Sequence, residues 1–190
     1  MIRVGALVSG GGRTILNLQD AIDRGDVDAQ IAVVIAHDDT LPAVSRCQQR
    51  GIDVAIVPTD FDAIDAALMN ADVELVCLAG YLRWFRVGEH WRNRTINIHP
   101  ALLPKHGGKG MYGKHVHQAV IDSGEEISGC TVHLVDAEYD HGRTLLQLEC
   151  PVLPEDDADA LAARVFLKEC VAMPEAVQGI ASGEISLETD

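Results

Sequence analysis

Apolar residues in the first half of the chain fall into short unbroken runs, separated by segments of helical periodicity. The runs IRVGALV, AQIAVVIAH, DVAIVP and VELVCLAG have the length of strands and are apolar on both faces. The segments TILNLQDAIDRG, LPAVSRCQQRG and FDAIDAALMNA carry apolar residues at helical spacing. Strands buried on both faces that alternate with helices indicate a parallel sheet covered by helices on each side. We therefore predict an open, doubly wound α/β unit.

The pattern changes after the strand TINIHP. A glycine-rich loop, KHGGKGMYG, leads into the short helix KHVHQAVIDSG. Two further strands, SGCTVHLVD and TLLQLECPV, are joined by AEYDHGR, and this hairpin-like connection predicts an antiparallel C-terminal portion of a mainly parallel sheet. The amphipathic segment at residues 157–183 predicts a final helix that is broken or kinked at Pro174.

Length and composition are typical of one folded domain, since the chain has 190 residues of which 47% are hydrophobic. No apolar stretch approaches the roughly 20 residues that span a bilayer, and the run at residues 2–8 passes into glycines, which favours a strand over a signal peptide. The cysteines are odd in number and widely spaced, which favours reduced thiols in a cytoplasm over disulfides or a zinc site. They are Cys47, Cys77, Cys130, Cys150 and Cys170.

The formal net charge of -14 disfavours nucleic acid as a partner, because phosphate backbones need a basic surface. The basic residues are unevenly distributed: seven of the fifteen lie between Tyr81 and Gln118, where Glu89 is the single acid. Such a zone suggests a site for an anionic small molecule, although loops also collect solvated lysines. The seven are Arg83, Arg86, Arg92, Arg94, Lys105, Lys109 and Lys114.

The segment SGGGRT, residues 9–14, joins the first predicted strand to the first predicted helix. Glycines at such a junction let backbone N–H groups converge, and the positive end of the helix favours an anion. The spacing matches neither a Walker loop nor G-x-G-x-x-G, so a plain tight turn is the alternative. Arg13 and Thr14 add a cation and a hydroxyl, which favours a phosphate site.

Two polar side chains, Asn97 and His99, share one face of the predicted strand TINIH, and Pro100 ends that strand. Ligands of open α/β sheets bind beyond the carboxyl ends of the strands, so both residues are candidates for catalysis. The alternative is that they cap a turn. Asp140 in AEYDHGR is a third candidate, although Asp-His-Gly is also ordinary turn chemistry.

Three other histidines have structural interpretations. His133 lies within a strand and is interpreted as a satisfied buried histidine. His115 and His117 are two residues apart, so they do not share a helix face, and no third ligand is nearby in sequence. No metal site is predicted.

The motifs resemble those of the glycinamide ribonucleotide formyltransferases, a branch of the folate-dependent formyltransferase family. The resemblance rests on SGGG, LAGYLRWF, NIHPALLP, GCTVHLVD, YDHG and AARVFLKE, which occur in this order over essentially the whole chain. It implies a single formyltransferase domain over residues 1–190, with the formyltransferase fold and a Rossmann-like N-terminal half. The implied reaction is transfer of a formyl group from 10-formyltetrahydrofolate to the amine of 5-phosphoribosyl glycinamide, in de novo purine biosynthesis.

The resemblance also implies that Asn97, His99 and Asp140 form a catalytic trio. Formyl transfer to an amine passes through a tetrahedral oxyanion, and the Asn97 amide and the His99 imidazole would both donate to that oxygen. Asp140 would orient His99, raise its pKa, and accept the proton of the amine through a water.

The remaining implied contacts belong to the two substrates. The phosphate would be bound by Gly11, Gly12, Arg13 and Thr14, and Glu169 on the last helix would face the ribose hydroxyls or the amine. The implied folate-binding residues are Leu82, Arg83, Trp84, Phe85, Asn97, Asp136 and Tyr139.

The chain departs from the family pattern at several positions. Arg13 and Thr14 replace a serine and an asparagine, the loop KHGGKGMYG is longer than usual, and Arg143 stands where proline is common. These departures leave open the same site acting on water, as in a formyltetrahydrofolate hydrolase, or on an amino sugar phosphate. A folate-binding protein without catalysis is a third alternative. The expected partners are small molecules, not nucleic acid or membrane, and the oligomeric state is open between monomer and homodimer.

Overall fold

The computed structural model describes residues 1–188, which form a seven-stranded sheet with helices on both faces. The strands are β1 (Ile2–Val8), β2 (Ala29–Ala36), β3 (Val54–Ile56), β4 (Leu75–Leu78), β5 (Thr95–His99), β6 (Ile127–Leu134) and β7 (Thr144–Pro151). The α-helices are α1 (Arg13–Asp23), α2 (Pro42–Gln49), α3 (Phe61–Asn70), α4 (Lys114–Asp122) and α5 (Ala158–Ser182), and a 3₁₀ turn covers Glu89–Trp91.

The strand order is β3-β2-β1-β4-β5-β6-β7. The first five strands pair in parallel, whereas β6 runs antiparallel to both β5 and β7. The predicted mainly parallel sheet with an antiparallel C-terminal portion is therefore confirmed. The chain adds β2 and β3 on one side of β1 and then adds β4 and β5 on its other side. The strand order therefore reverses between β1 and β4, which is where doubly wound sheets bind ligands.

The core consists of two apolar layers, one on each face of the sheet. The first contains buried residues of α1 and α5, such as Leu18 and Val165. The second contains Leu68 of α3 together with Phe85 and Trp91, which belong to the segment between β4 and β5. Both faces of the sheet are thus covered, as the two-sided apolar character of its first strands predicts.

Helix α5 runs through Pro174 without ending there. The prediction that the helix is broken at this residue is wrong, whereas a kink within the continuous helix stays a prediction. Pro174 has no backbone N–H, so the carbonyl of Cys170, four residues earlier, lacks its usual helical donor. The side-chain amide of Asn17, on α1, donates to that carbonyl at 2.6 Å. The packing of α1 against α5 therefore replaces the missing helical hydrogen bond.

Candidate active site

A cavity of about 510 Å³ opens at the carboxyl ends of β1, β4 and β5. Glycine loops after β1 and β4 contribute to its wall, and β5 contributes Asn97 and His99. The opposite wall comes from α5 and from the loop between β6 and β7. The position agrees with the rule that ligands of open α/β sheets bind at the point where the strand order reverses.

Every site residue predicted from the sequence lines this one cavity. The fourteen are Gly11, Gly12, Arg13, Thr14, Leu82, Arg83, Trp84, Phe85, Asn97, His99, Asp136, Tyr139, Asp140 and Glu169. They come from five separate segments of the chain. The structure thus brings them together, while the role of each residue stays a prediction.

The glycine loop makes a close turn at the start of α1. Gly12 is the residue before the helix, has φ 69°, and offers no side chain to cap the first turn. A Cβ at this position would lie 2.9 Å from the Cβ of Ala43, so both the backbone angle and the packing require glycine. The carbonyl of the preceding Gly11 accepts a hydrogen bond of 2.9 Å from Arg46. The loop is therefore shaped from outside by α2, which leaves its inner side to the cavity.

Arg13 and Glu169 both line the part of the cavity between the glycine loop and α5. The guanidinium of Arg13 lies 4.0 Å from the ring centre of Phe166, one turn before Glu169 on α5. Burial raises the pKa of Glu169 to about 7, and the charge of Arg13 opposes this shift. The cavity therefore contains a fixed cation beside a carboxyl group that titrates near neutral pH.

Asn97, His133 and Asp140 meet in a compact triangle of polar atoms. Asn97 Nδ2 lies 3.1 Å from His133 Nε2 and 3.4 Å from Asp140 Oδ1. His133 Nε2 and Asp140 Oδ1 are 3.6 Å apart. His133 and Asn97 are paired residues of the antiparallel strands β6 and β5, which explains their proximity. The register of β6 therefore places a third polar side chain against Asn97.

His99 is 3% exposed, and both of its ring nitrogens have a defined neighbour. Nε2 lies 2.8 Å from the carbonyl oxygen of His106, and because a carbonyl only accepts, Nε2 carries a proton. Nδ1 lies 3.4 Å from Asp140 Oδ2, a long distance for a hydrogen bond. In the neutral ring, Nδ1 therefore presents a lone pair to the carboxylate. The sequence predicts that the imidazole of His99 donates to an oxyanion, and donation from Nε2 would require the bond to His106 to break.

The pKa of His99 is shifted in the direction opposite to the expectation. Burial lowers the pKa below its ordinary value, and the opposing effect of Asp140 does not overcome burial. Asp140 raises the pKa of His99 as predicted, but the expected net increase is wrong, because the motifs that pointed to Asp140 carry no information about desolvation. Burial raises the pKa of Asp140, but hydrogen bonding around the carboxylate, including the bond from the N–H of Gly108, outweighs burial and leaves this pKa lowered. The stable form at neutral pH is a neutral imidazole beside a carboxylate.

The loop after β5 is shaped to fit Asp140. The N–H of Gly108 donates to Asp140 Oδ2 at 2.9 Å. At Gly107, an added Cβ would lie 3.2 Å from the Cβ of Asp140 and 2.5 Å from a methyl group of Leu103. Residue 107 therefore approaches Asp140 closely, which favours glycine, and the same loop supplies the carbonyl of His106 that binds His99.

The predicted folate side of the cavity has two aromatic residues at its rim. The rings of Trp84 and Tyr139 are 4.7 Å apart and pack edge to face, which joins the loop after β4 to the loop after β6. Trp84 is 39% exposed, whereas Phe85 is buried in the core layer below it. Asp136 accepts the N–H of Glu138 and pairs with His141, so its carboxylate stabilises the turn of its own loop.

Several cavity residues had no functional prediction. His133 was interpreted as a core histidine, and the signal that it faces Asn97 lies in strand register, which periodicity does not give. His117 is buried with no partner for Nδ1 among residues 1–188. Of the basic zone, Arg83 and Lys114 reach the cavity, and Lys114 forms an ion pair with Asp159 of α5. The basic residues are therefore only partly directed at the cavity.

Two absences apply to the described part of the chain, residues 1–188. It contains no group of three or more His, Cys, Asp or Glu side chains arranged to hold a metal ion. It also contains no helix that is long and apolar enough to cross a membrane.

Comparison with known proteins gives consistent matches over the chain. A family model described as Formyl transferase matches residues 2–177. The chain is 35% identical over 199 residues to the chloroplastic phosphoribosylglycinamide formyltransferase of Vigna unguiculata, and the match covers 99% of this chain and 64% of that protein. It is 36% identical over 193 residues to the trifunctional purine biosynthetic protein adenosine-3 of Drosophila melanogaster, covering 95% of this chain and 14% of that protein. The chain thus spans less than two thirds of either relative.

A solved structure has the same fold. Glycinamide ribonucleotide transformylase 1 from Symbiobacterium toebii matches with a TM-score of 0.86 and 34% sequence identity, over 96% of this chain and 89% of that one. The fold predicted from the sequence is confirmed by this likeness.

Proposed function

The chain belongs to the formyl transferase family, and from that membership we propose that it transfers a formyl group from 10-formyltetrahydrofolate to the amine of 5-phosphoribosyl glycinamide. The Vigna unguiculata relative is named phosphoribosylglycinamide formyltransferase, and the Drosophila melanogaster relative is named as a purine biosynthetic protein. The solved neighbour is named glycinamide ribonucleotide transformylase. The names do not favour the alternatives of water or an amino sugar phosphate as acceptor. Nor do they favour a folate-binding protein without catalysis.

One observation carries the proposal for the chemistry: Asn97, His99 and Asp140 converge in a cavity whose other end is the glycine loop before α1. A phosphate at that loop would place the remainder of a phosphorylated amine along the cavity toward Asn97. The rim residues Leu82, Arg83, Trp84, Phe85, Asp136 and Tyr139 would contact the folate. The two substrates would then approach Asn97 from opposite ends.

Attack of the amine on the formyl carbon generates an oxyanion, which needs donors placed in advance. The two acceptors next to Asn97 Nδ2 lie close together, at 3.1 and 3.4 Å from it and 3.6 Å from each other. They subtend an angle well below the roughly 120° between the two N–H bonds of an amide, and we propose that one N–H is shared between them. The second N–H of Asn97 is left for the oxyanion.

The proton lost by the amine is taken up by Asp140 and His99 together. Asp140 is ionised, and the Nδ1 lone pair of His99 faces it at 3.4 Å. A proton that reaches this pair through a water is shared between a carboxylate and an imidazole, and the resulting imidazolium is stabilised by the carboxylate. His99 therefore enters the proposal as a proton acceptor, while its Nε2–H keeps the loop at His106 in place. When the tetrahedral intermediate collapses, the bond between the formyl carbon and N10 of the folate breaks. The proton held by Asp140 and His99 passes to that nitrogen, and tetrahydrofolate leaves.

The substrate amine must be neutral to attack, and Glu169 is suited to recognise it. Glu169 lies beside Arg13 in the cavity, with a pKa of about 7. A carboxyl group that is only partly ionised can bind ribose hydroxyls or an amine without fixing the amine as an ammonium ion. We propose the backbone of Gly11 and Gly12 and the side chains of Arg13 and Thr14 as the phosphate contacts.

We further propose that residues 1–190 act as one formyltransferase domain, and that the protein works in the cytoplasm on small molecules alone. Cell fractionation tests the compartment. Detection in an organelle or membrane fraction would contradict it.

A steady-state assay with 10-formyltetrahydrofolate and glycinamide ribonucleotide tests the function, with mass detection of the formylated product. The matched reactions replace the acceptor by water alone or by an amino sugar phosphate, and Asn97→Ala is the control enzyme. We expect the glycinamide ribonucleotide reaction to have the highest kcat/KM by at least about tenfold, the factor that corresponds to 1.4 kcal/mol. Faster release of formate with no amine present would instead identify a hydrolase.

A further inference from the structure

His133 makes two contacts that together define which of its nitrogens carries the proton. Nδ1 lies 2.7 Å from the carbonyl oxygen of Leu134, and Nε2 lies 3.1 Å from Asn97 Nδ2. A carbonyl oxygen only accepts, so Nδ1 must be the protonated nitrogen. In the neutral ring Nε2 is then a lone pair, and it accepts a hydrogen bond from Asn97. The side chain is 2% exposed, so these contacts are almost fully buried.

The same contacts determine that Nδ2 of Asn97, and not Oδ1, faces His133 and Asp140. Asp140 Oδ1 is 3.4 Å from Asn97 Nδ2 and, like His133 Nε2, is an acceptor. If the amide were reversed, its oxygen would face a carboxylate oxygen and a lone pair at once. Two acceptors from different elements, β6 and the following loop, therefore select the same orientation of one amide group. Asp140 is itself a member of the proposed catalytic trio, whereas His133 is not.

We propose that His133 is a positioning residue for the transfer reaction, which fixes the Asn97 amide so that its free N–H is directed at the oxyanion before substrate binds. The inference rests on the proposed function for its kinetic consequence. The hydrogen bond from Asn97 to the unprotonated Nε2 of His133 does not depend on the proposed function. A donor fixed in advance stabilises the oxyanion without reorganisation during the reaction, so His133 acts on kcat through Asn97.

The hydrogen bond is tested first, by NMR on the wild-type protein with ¹⁵N-labelled histidine and asparagine. In the neutral ring we expect His133 to carry its proton on Nδ1, and we expect the Asn97 side-chain amide to give two well-separated proton signals. In His133→Leu the two Asn97 signals should shift toward each other, because the amide loses the shorter of its two acceptor contacts and keeps only that with Asp140. A proton on Nε2 of His133, or an unchanged Asn97 amide in the variant, would overturn the proposal whether or not the protein transfers formyl groups.

The kinetic test compares His133→Leu with His133→Gln. Leucine removes the acceptor, so we expect kcat to fall about 10- to 100-fold, as is typical for groups that orient a reacting residue, with KM for both substrates nearly unchanged. Glutamine can present an oxygen acceptor near the position of Nε2, so it should restore most of the rate. A rise in KM with unchanged kcat, or failure of glutamine to restore any activity in a folded variant, would refute a positioning role.

Two further variants separate positioning from general destabilisation. Val132→Ala removes a buried side chain of the same strand that does not line the cavity, and it should lower Tm while leaving kcat unchanged. In the Asn97→Ala background, His133→Leu should have little additional effect on kcat, because its action passes through the residue already removed. Multiplicative losses in the double variant would show that His133 acts independently. If wild-type protein shows no transfer at all, the proposed function fails, while the NMR result still decides the hydrogen bond.

Discussion

Asn17 donates its side-chain amide to the backbone carbonyl of Cys170 at 2.6 Å, across the contact between α1 and α5. The carbonyl is available because Pro174 provides no N–H to bond with it. One side chain of the first helix thus allows the last helix to continue through a proline. The helix carries Phe166 and Glu169 into the cavity, so this contact supports the site as well as the fold.

We expect Asn17→Leu to lower the free energy of unfolding by about 1–3 kcal/mol, because it leaves the carbonyl of Cys170 without a donor. Chemical denaturation of both proteins measures this. The matched background is Pro174→Ala, in which residue 174 regains an N–H that can bond to Cys170. In that background the loss caused by Asn17→Leu should be clearly smaller. Equal losses in both backgrounds would show that Asn17 stabilises the protein in some other way.

Asn97→Ala removes the proposed oxyanion donor. One such donor is typically worth about 100- to 1,000-fold in kcat, and we expect a loss in this range with little change in Tm. Single-turnover rates with both substrates at saturation measure the chemical step. Turnover at the wild-type rate would refute the assignment of Asn97.

Arg13→Ala should raise KM for the phosphorylated acceptor with little change in kcat, because the phosphate is bound equally in the ground and transition states. The control is Arg24→Ala, which removes an exposed arginine whose partner is Asp26, outside the cavity. Substrate-dependence curves for the three proteins give both constants. An unchanged KM in Arg13→Ala would indicate that the guanidinium serves only its contact with Phe166.

Burial and Asp140 should shift the pKa of His99 in opposite directions. Burial lowers its pKa from the ordinary value of 6.5, so the NMR titration midpoint of wild-type His99 should lie below that value. Asp140 stabilises the imidazolium, and Asp140→Asn should therefore move the midpoint lower still. Because the folded-state pKa is below the unfolded one, His99 also reduces stability as pH falls below 6.5. A midpoint that rises in Asp140→Asn would contradict the assigned contact.

Glu169 should make stability fall as pH rises through the neutral range. Its pKa is raised from 4.5 to about 7 in the folded protein, so the unfolded chain ionises first. The corresponding stability is complete below pH 4.5 and is lost as pH rises through 7. Glu169→Gln does not titrate, so its stability relative to wild type should increase over this window, by at most about 3 kcal/mol. Denaturation curves at pH 5 and pH 8 provide the comparison, and an unchanged difference would show that the carboxyl group is solvated.

The local sequence determined the class of the fold and the candidate site. Strand and helix identities follow from apolar periodicity, which depends on neighbours only a few residues apart, and the pairing of Asn97 with His99 on one strand face follows from the same alternation. The glycine loop and its following helix were also evident, because turn chemistry is local. The ordered motifs then linked these segments to Asp140 and Glu169, which periodicity alone would have left as turn and surface residues.

Tertiary structure decided the contacts that join distant segments. The register of β6 against β5 places His133 on Asn97, and a shift by one residue would turn His133 to the other face of the sheet. The pKa of His99 depends on desolvation by the whole surrounding wall, which outweighs the one acid that the motif supplies. Helix α5 passes through Pro174 because a residue more than 150 positions earlier satisfies the freed carbonyl. Register, burial and long-range hydrogen bonds depend on how elements pack, and no local pattern encodes them.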